Sequence, residues 1–201
     1  MATSIVKADE LRLLNDNVLM SNGALTGNVT FPAGHVIQTK QFIFSKTAST
    51  TSGSFVQISD GSGIDFKDSI TVKANSKILI RAILSIGSTG NQGFFVDLFK
   101  SSDGSSFSAV TELHSTASAI AGTNAAIPLF HAGQSGNRTE KAALEYLDTI
   151  TSAGTYHYAL YYRRGSTGTT VINISPSQTG GSTNEDYGSS SSVMTLMEIA
   201  G

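Results

Sequence analysis

The arrangement of apolar and polar positions along the chain is that of a series of short β-strands. The most apolar run, residues 76–86, has an apolar side chain at every even position from 78 to 86, whereas its odd positions mix Lys77 and Arg81 with Leu79 and Ile83. Such alternation is typical of a strand with one face buried and the other partly covered. Its many isoleucines favour a strand over a buried helix. We therefore expect 76–86 to be a central strand of the core.

Similar runs continue from residue 35 to the end of the sequence. Strands are expected at 35–46, 55–58, 69–73, 94–100, 107–113, 155–164, 169–174 and 193–199. Polar turns separate them, and Asp103-Gly104 is a strong hairpin signal. Pro128 would restrict any strand around it to a sheet edge. Segment 139–150 is ambiguous, because its Ala, Leu and Glu residues favour a helix. The pattern predicts an all-β domain at 35–201, a β-sandwich or jelly roll.

The first 34 residues differ from the rest. Residues 4–17 are compatible with a short helix, although their apolar residues are too few for a helix that stands alone. Residues 22–34 are rich in turn-forming residues. Segment 1–34 is therefore either a flexible leader or an arm that docks on a neighbouring subunit or a larger body. We expect an anchoring arm, with its apolar residues as the contact candidates: Val6, Leu11, Leu13 and Leu14.

Composition excludes several classes of function. The formal net charge of −2 offers no basic stripe for nucleic acid and no attraction to an anionic membrane surface. The absence of cysteine excludes disulfides and thiolate metal sites, so stability must come from core burial or oligomerisation. No window approaches the roughly 18 apolar residues of a membrane span. We expect a soluble protein without a secretion signal.

No residue pattern in the sequence predicts catalysis or metal binding. The four histidines are scattered, without metal-ligand spacing. Asp97 and Glu112 would face each other across the predicted hairpin as a glycosidase pair does, but chance produces such pairs often. Three aspartates between residues 60 and 68 lack EF-hand spacing and suit turns. Residues 131–137 place Ser135 near His131 without forming a nucleophile elbow. We expect no enzyme, no metal and no cofactor.

The tyrosines of 155–164 are the most distinctive cluster. Alternation places Tyr156, Tyr158 and Tyr162 on one strand face and Tyr161 on the other. Three interpretations remain: a core face with Tyr161 exposed, a subunit interface, in which tyrosine is enriched, or a sugar-stacking platform. The interface candidates from the two strands are Leu79, Ile83, Tyr156, Tyr158, Tyr161 and Tyr162.

Several short motifs resemble a known family of domains. They are TFPAGHVIQT at 30–39, NSKILI at 75–80, LEYLD at 144–148, SAGTY at 152–156, VIN at 171–173 and VMTLMEIA at 193–200. This order resembles domains of tailed-phage structural proteins, especially from phages of marine bacteria and cyanobacteria, found in fibre-like and decorating virion components. The resemblance implies a jelly-roll sandwich similar to tumour-necrosis-factor and fibre-knob heads, which assembles as a homotrimer without catalytic residues. It also implies a strand, not a helix, at 144–148.

The expected function is that of a non-enzymatic virion protein, assembled in the host cytoplasm. It would be a trimeric capsid-decorating, head-fibre or short appendage protein, anchored by segment 1–34 to the major capsid or tail proteins. Shaft repeats and coiled-coil heptads are absent from the sequence, which argues against a complete tail fibre. The alternative is a tail-fibre adhesin that recognises host-surface carbohydrate.

Overall fold

The computed structural model describes residues 10–12, 18–21, 24–25, 31–88, 93–114, 125–130, 139–165, 167–174 and 190–201. Almost all of the regular structure in these residues is β. The strands are β1 Glu10–Arg12, β2 Val18–Ser21, β3 Ala24–Leu25, β4 Val36–Phe44, β5 Ala48–Thr50, β6 Val56–Gln57, β7 Lys67–Val72, β8 Lys77–Ser88, β9 Gly93–Ser101, β10 Ser108–Ala109, β11 Ile127–Phe130, β12 Glu140–Thr149, β13 Gly154–Arg164, β14 Thr170–Ile172 and β15 Ser192–Ile199. A 3₁₀ helix spans Thr111–Leu113.

Two antiparallel sheets form a β-sandwich, which confirms the predicted fold class. The first sheet has the order β4-β15-β8-β12, and β14 and β5 extend it beside the end of β8. In the second sheet, β13 lies between β9 on one side and β6 and β7 on the other. Strands β10 and β11 pair with the far edge of β9. Strands β1 to β3 pair among themselves.

The strand order is that of a jelly roll. Its main strands in chain order are β4, β7, β8, β9, β11, β12, β13 and β15. The first sheet then contains the first, eighth, third and sixth of these strands, and the second sheet contains the second, seventh, fourth and fifth. The chain therefore crosses repeatedly between the sheets, as in the double-sheet jelly roll. Most sheet neighbours consequently lie far apart in the sequence.

The core lies between the two sheets, and β8 supplies its centre as predicted. All even positions of β8 from Ile78 to Ile86 are fully buried. The second sheet contributes the residues of β9 and β13 that face them, namely Phe94, Val96, Leu98, Tyr158, Leu160 and Tyr162. The odd positions Lys77, Arg81 and Ile83 are exposed and Leu79 is half-buried. The interpretation of a strand with one dry face and one partly covered face is confirmed.

Segment 139–150 is a strand, so the helix favoured by propensity is wrong and the strand implied by the resemblance is correct. Strand β12 pairs with β8 along its whole length, from Glu140 opposite Ile86 to Thr149 opposite Lys77. Its burial alternates, with Ala142 and Leu144 directed into the core. This pairing and burial outweigh the intrinsic helix preference, which amounts to only tenths of a kcal/mol per residue.

The short helix at 4–17 is not formed where the structure describes the segment. Residues 10–12 form β1, which pairs with β2 so that Leu11 lies opposite Met20. A segment with so few apolar residues has little to support an isolated helix, whereas a neighbouring strand satisfies its backbone groups. Val6, Leu13 and Leu14 lie outside the described residues. Their anchoring role and the boundary at residue 34 remain predictions.

The region after β9 also differs from expectation. The predicted strand 107–113 is only the two-residue β10, followed by the 3₁₀ helix. The hairpin at Asp103 is present, but its loop is longer than a two-residue turn, since Ser108 pairs with Lys100. The Asp103 carboxylate accepts the N–H groups of Ser105 and Ser106 and closes the loop. Strand β11, which contains Pro128, pairs with β9 alone among the described strands and is an edge strand, as predicted.

Candidate functional site

The side of the first sheet that faces away from the core carries two apolar rows separated by a polar row. We call this surface, formed by β4, β15, β8 and β12, the outer face. The strand register aligns its residues across all four strands. One apolar row is Ile43, Val193, Ile83 and Ala143, the polar row is Gln41, Thr195, Arg81 and Glu145, and the second apolar row is Thr39, Met197, Leu79 and Leu147.

Large apolar side chains on the outer face are exposed. The exposed fractions are 41% for Ile83, 47% for Leu147 and 55% for Ile43. Standard strand spacings give the whole face, with its polar row included, an area of roughly 400 Å². This is about half of what one partner contributes to a standard protein interface. A stable contact through this face would therefore extend onto its borders.

The polar row is better suited to set the orientation of a binding partner than to strengthen its binding. The Arg81 Nε atom lies 3.9 Å from Glu145 Oε2, and both side chains are 63% exposed. An exposed ion pair of this kind adds well under about 1 kcal/mol to stability. On association, however, two opposite charges between apolar rows penalise any alignment that brings like charges together. The row is thus suited to fix the orientation of a partner.

The structure places the predicted interface residues in four different environments. Leu79 and Ile83 lie on the outer face. Tyr158 and Tyr162, only 0% and 2% exposed, belong to the core of their own chain. Because a neighbouring subunit cannot reach them, the core interpretation replaces the interface interpretation for these two tyrosines. Tyr156 packs against the core border.

Tyr161 is part of an aromatic cluster on the outer side of the second sheet. Its ring stacks on Phe99 with a centroid distance of 3.9 Å. The guanidinium of Arg163 lies 3.7 Å from the centroid of Phe95 and 5.2 Å from that of Phe55. Burial lowers the pKa of Arg163. Tyr161 therefore covers the sheet of its own chain. The alternation of side chains along β9 and β13 is the sequence signal from which this aromatic cluster could have been predicted.

Asp97 does not form the predicted pair with Glu112. The Asp97 side chain is buried, and its Oδ2 atom lies 2.8 Å from His114 Nε2. Its Oδ1 atom accepts the N–H groups of Leu98 and Ala126. Burial raises the pKa of Asp97, and the hydrogen bond with His114 opposes that rise. Glu112 is exposed on the 3₁₀ helix, so the arrangement ties a loop to the sheet and is not a glycosidase pair.

The described part of the chain was also considered for metal sites and membrane-spanning helices. It contains no cluster of three or more His, Asp or Glu residues arranged to hold a metal ion. The aspartates at 60–68 serve locally: Asp60 accepts the N–H groups of Ser62 and Ile64, and Asp68 binds Lys40 at 3.0 Å. Residues 131–137 lie outside the described residues. No helix within these residues is both long and apolar enough to cross a membrane.

No protein-family model and no curated protein matches the chain. Among solved structures, it is similar to "Structure of infectious bursal disease virus Gx strain", with 10% identity, a TM-score of 0.35 and coverage of 98% of this chain and 42% of that chain. It is also similar to "Crystal structure of infectious bursal disease virus VP2 subviral particle", with 11% identity, a TM-score of 0.32 and coverage of 83% and 38%. The chain thus spans less than half of these chains. A likeness at this level defines neither a family nor a function.

Proposed function

We propose that this chain is a non-enzymatic structural protein of a virus particle, a homotrimeric decorating or short appendage protein whose trimer forms through the outer face. The observation that carries the proposal is the exposed pair of apolar rows on β4, β15, β8 and β12. The phage particle and the trimeric state rest on the family resemblance of the motifs between residues 30 and 200, and the anchoring role of segment 1–34 rests on its apolar residues.

The geometry of the outer face favours association with another copy of the chain. Without disulfides, a chain with few charged residues gains stability by covering apolar surface, and self-association is a direct way to do so. In a closed three-fold ring, each copy presents two different surfaces. The outer face is one of them. The adjacent free edge of β12, which pairs only with β8 among the described strands, extends the contact area beyond roughly 400 Å² toward the standard size.

The test compares two single substitutions of exposed isoleucines to aspartate. Ile83→Asp places a charge within the apolar row of the outer face, and we expect a folded monomer because burying an unpaired charge is costly. Ile64→Asp is the matched control, because Ile64 is equally exposed at 40% but lies between β6 and β7. Light scattering should give a mass near three times the protomer mass of 21.0 kDa for the wild type and for Ile64→Asp.

A core substitution separates assembly from folding. Ile80 is fully buried on the other face of the same strand, and Ile80→Ala should destabilise the protein by about 2–5 kcal/mol. If Ile83→Asp lowers the free energy of unfolding as much as Ile80→Ala does, β8 serves the core and does not form an interface. A wild-type protein that is a stable monomer at all concentrations would contradict the assembly proposal.

A further inference from the structure

A cleft of about 370 Å³ opens between the β9–β10 hairpin and the end of β12. This volume is within the range of small-ligand sites. Hydroxyl groups supply most of the polar lining, among them those of Ser102, Ser106 and Ser108, which are exposed. The charged groups are the Lys100 ammonium and the Asp148 carboxylate, and Tyr156 supplies an aromatic ring. The cleft therefore combines many neutral hydrogen-bonding groups with one charge of each sign.

The Asp148 carboxylate has acceptor positions that the described residues do not fill. Its side chain is only 7% exposed, and Oδ2 accepts a 2.9 Å hydrogen bond from the Tyr158 hydroxyl. The Lys100 Nζ atom lies 3.4 Å from Oδ1 and 3.5 Å from Oδ2, which is beyond the usual range for a strong hydrogen bond. An ionised carboxylate has about four acceptor positions. Within the described residues, Oδ1 has only this long contact with Lys100, so it can accept a shorter hydrogen bond from a donor that enters the cleft.

The Tyr156 ring is held in place at the side of the cleft. Its hydroxyl donates a 2.9 Å hydrogen bond to the backbone carbonyl of Ser152, and its ring packs against the core border. Because the Tyr156 hydroxyl already makes this hydrogen bond, the ring is the part of the residue that is left to contact a ligand. An aromatic ring of this kind binds an apolar surface, such as the C–H face of a pyranose.

We propose that this cleft binds one neutral sugar residue. The opposite charges of Lys100 and Asp148 cancel, so the cleft does not attract an ion of either sign. A free anion would be repelled by the buried carboxylate, and a free cation would be repelled by the ammonium. Neighbouring hydroxyls of a sugar can donate to Asp148 and accept from Lys100, and both hydrogen bonds are charge-assisted. This recognition would be additional to the assembly role, and its test does not depend on the oligomeric state.

The experiment is a titration of the ¹⁵N-labelled full chain with the methyl glycosides of glucose, galactose and mannose, followed by amide chemical shifts. At least one glycoside should shift the amides of 100–108 and 148–156, with a dissociation constant on the order of 1 mM. Asp148→Asn keeps the side-chain size but removes the charge, and Lys100→Met removes the ammonium. Each should weaken binding about tenfold or more, since hydrogen bonds to charged groups are the strong ones. Asp65→Asn, outside the cleft, should bind as the wild type does.

Three outcomes would overturn the proposal. One is the absence of shifts in these two segments with every glycoside at concentrations far above 1 mM. Another is an equal response to acetate or phosphate, which would make the cleft an anion site. The third is unchanged affinity in Lys100→Met. Lys100 is 39% exposed, so this variant keeps the test valid even if Asp148→Asn fails to fold.

Discussion

Glu198 shows how one buried carboxylate joins three parts of the chain. Its side chain accepts hydrogen bonds from the Gln38 side-chain amide at 2.7 Å, the Ser76 hydroxyl at 2.7 Å and the Lys73 backbone N–H at 3.0 Å. Burial alone would raise the pKa of Glu198, but these hydrogen bonds outweigh burial, and the pKa is lowered from its ordinary value. The ionised form therefore holds β15, β4 and the turn before β8 together.

We expect Glu198 to give the protein part of its acid sensitivity. Because its folded-state pKa is lower than the unfolded value of about 4.5, its stabilisation is fully present above that value and is lost as pH falls through the folded-state pKa. Glu198→Gln should cost about 1–3 kcal/mol at pH 7, since an ionised acceptor is replaced by a neutral amide. Urea denaturation from pH 7 to pH 3 should show a weaker loss of stability in the variant. An identical pH dependence in both proteins would contradict this role.

Residue types alone did not identify the partners of the buried charges. The hairpin pattern predicts Asp97 opposite Glu112, but in the structure Asp97 pairs with His114. The hairpin loop is longer than a two-residue turn, and the chain then enters a 3₁₀ helix that turns Glu112 to solvent. With this longer loop, the His114 imidazole and not the Glu112 carboxylate lies next to Asp97. Side-chain partners depend on such details more strongly than strand positions do.

At the scale of single elements, β12 is the strand that local preference would have assigned otherwise. Its sequence favours a helix, yet it lies antiparallel beside β8 over ten residue pairs. Burying Leu144 alone is worth on the order of 2 kcal/mol, more than the helix preference of several residues. The period-two burial of Ala142, Leu144 and Asp148 is visible only once the partner strand is known.

Alanine substitution at three consecutive positions tests this assignment. In the strand, Leu144 and Tyr146 point inward and Glu145 points outward, so we expect Leu144→Ala and Tyr146→Ala each to cost about 2–4 kcal/mol. Glu145→Ala should change the free energy of unfolding by less than about 0.5 kcal/mol. In a helix, residues two apart lie on opposite sides. Urea denaturation showing a cost at only one of the two inward positions would therefore argue against the strand.

At the scale of the whole molecule, the sandwich is closed by backbone hydrogen bonds between the residues before β4 and the residue after β15. The Gly34 N–H donates to the Ala200 carbonyl at 2.8 Å, and the Ala200 N–H donates to the His35 carbonyl at 2.8 Å. Strand β4, which follows, pairs with β15 from Val36 to Phe44. Within the described part of the chain, these bonds and the core they enclose involve no residue before Gly34. Among the described residues, Gly34 is thus the first one that this closure needs.

Removal of residues 1–27 should separate attachment from assembly. Because the described core and the outer face lie entirely after residue 31, we expect the shortened protein to fold and to keep the mass of the full-length assembly. It should no longer sediment with the virus particles, since the proposed anchor is gone. Sedimentation of the full-length protein is the positive control. A shortened protein that still binds particles would place the anchor within the sandwich.

The sequence by itself determined the β class, the central strand and the placement of Pro128 on an edge strand. These properties follow from short-range rules: side chains alternate with a period of two, and proline lacks an N–H group. The tertiary structure alone decided which tyrosines are core, which strand β12 pairs with, and that Lys100 meets Asp148 across 48 residues. In a jelly roll most sheet neighbours come from distant parts of the chain, so their partners are set by the packing of the two sheets.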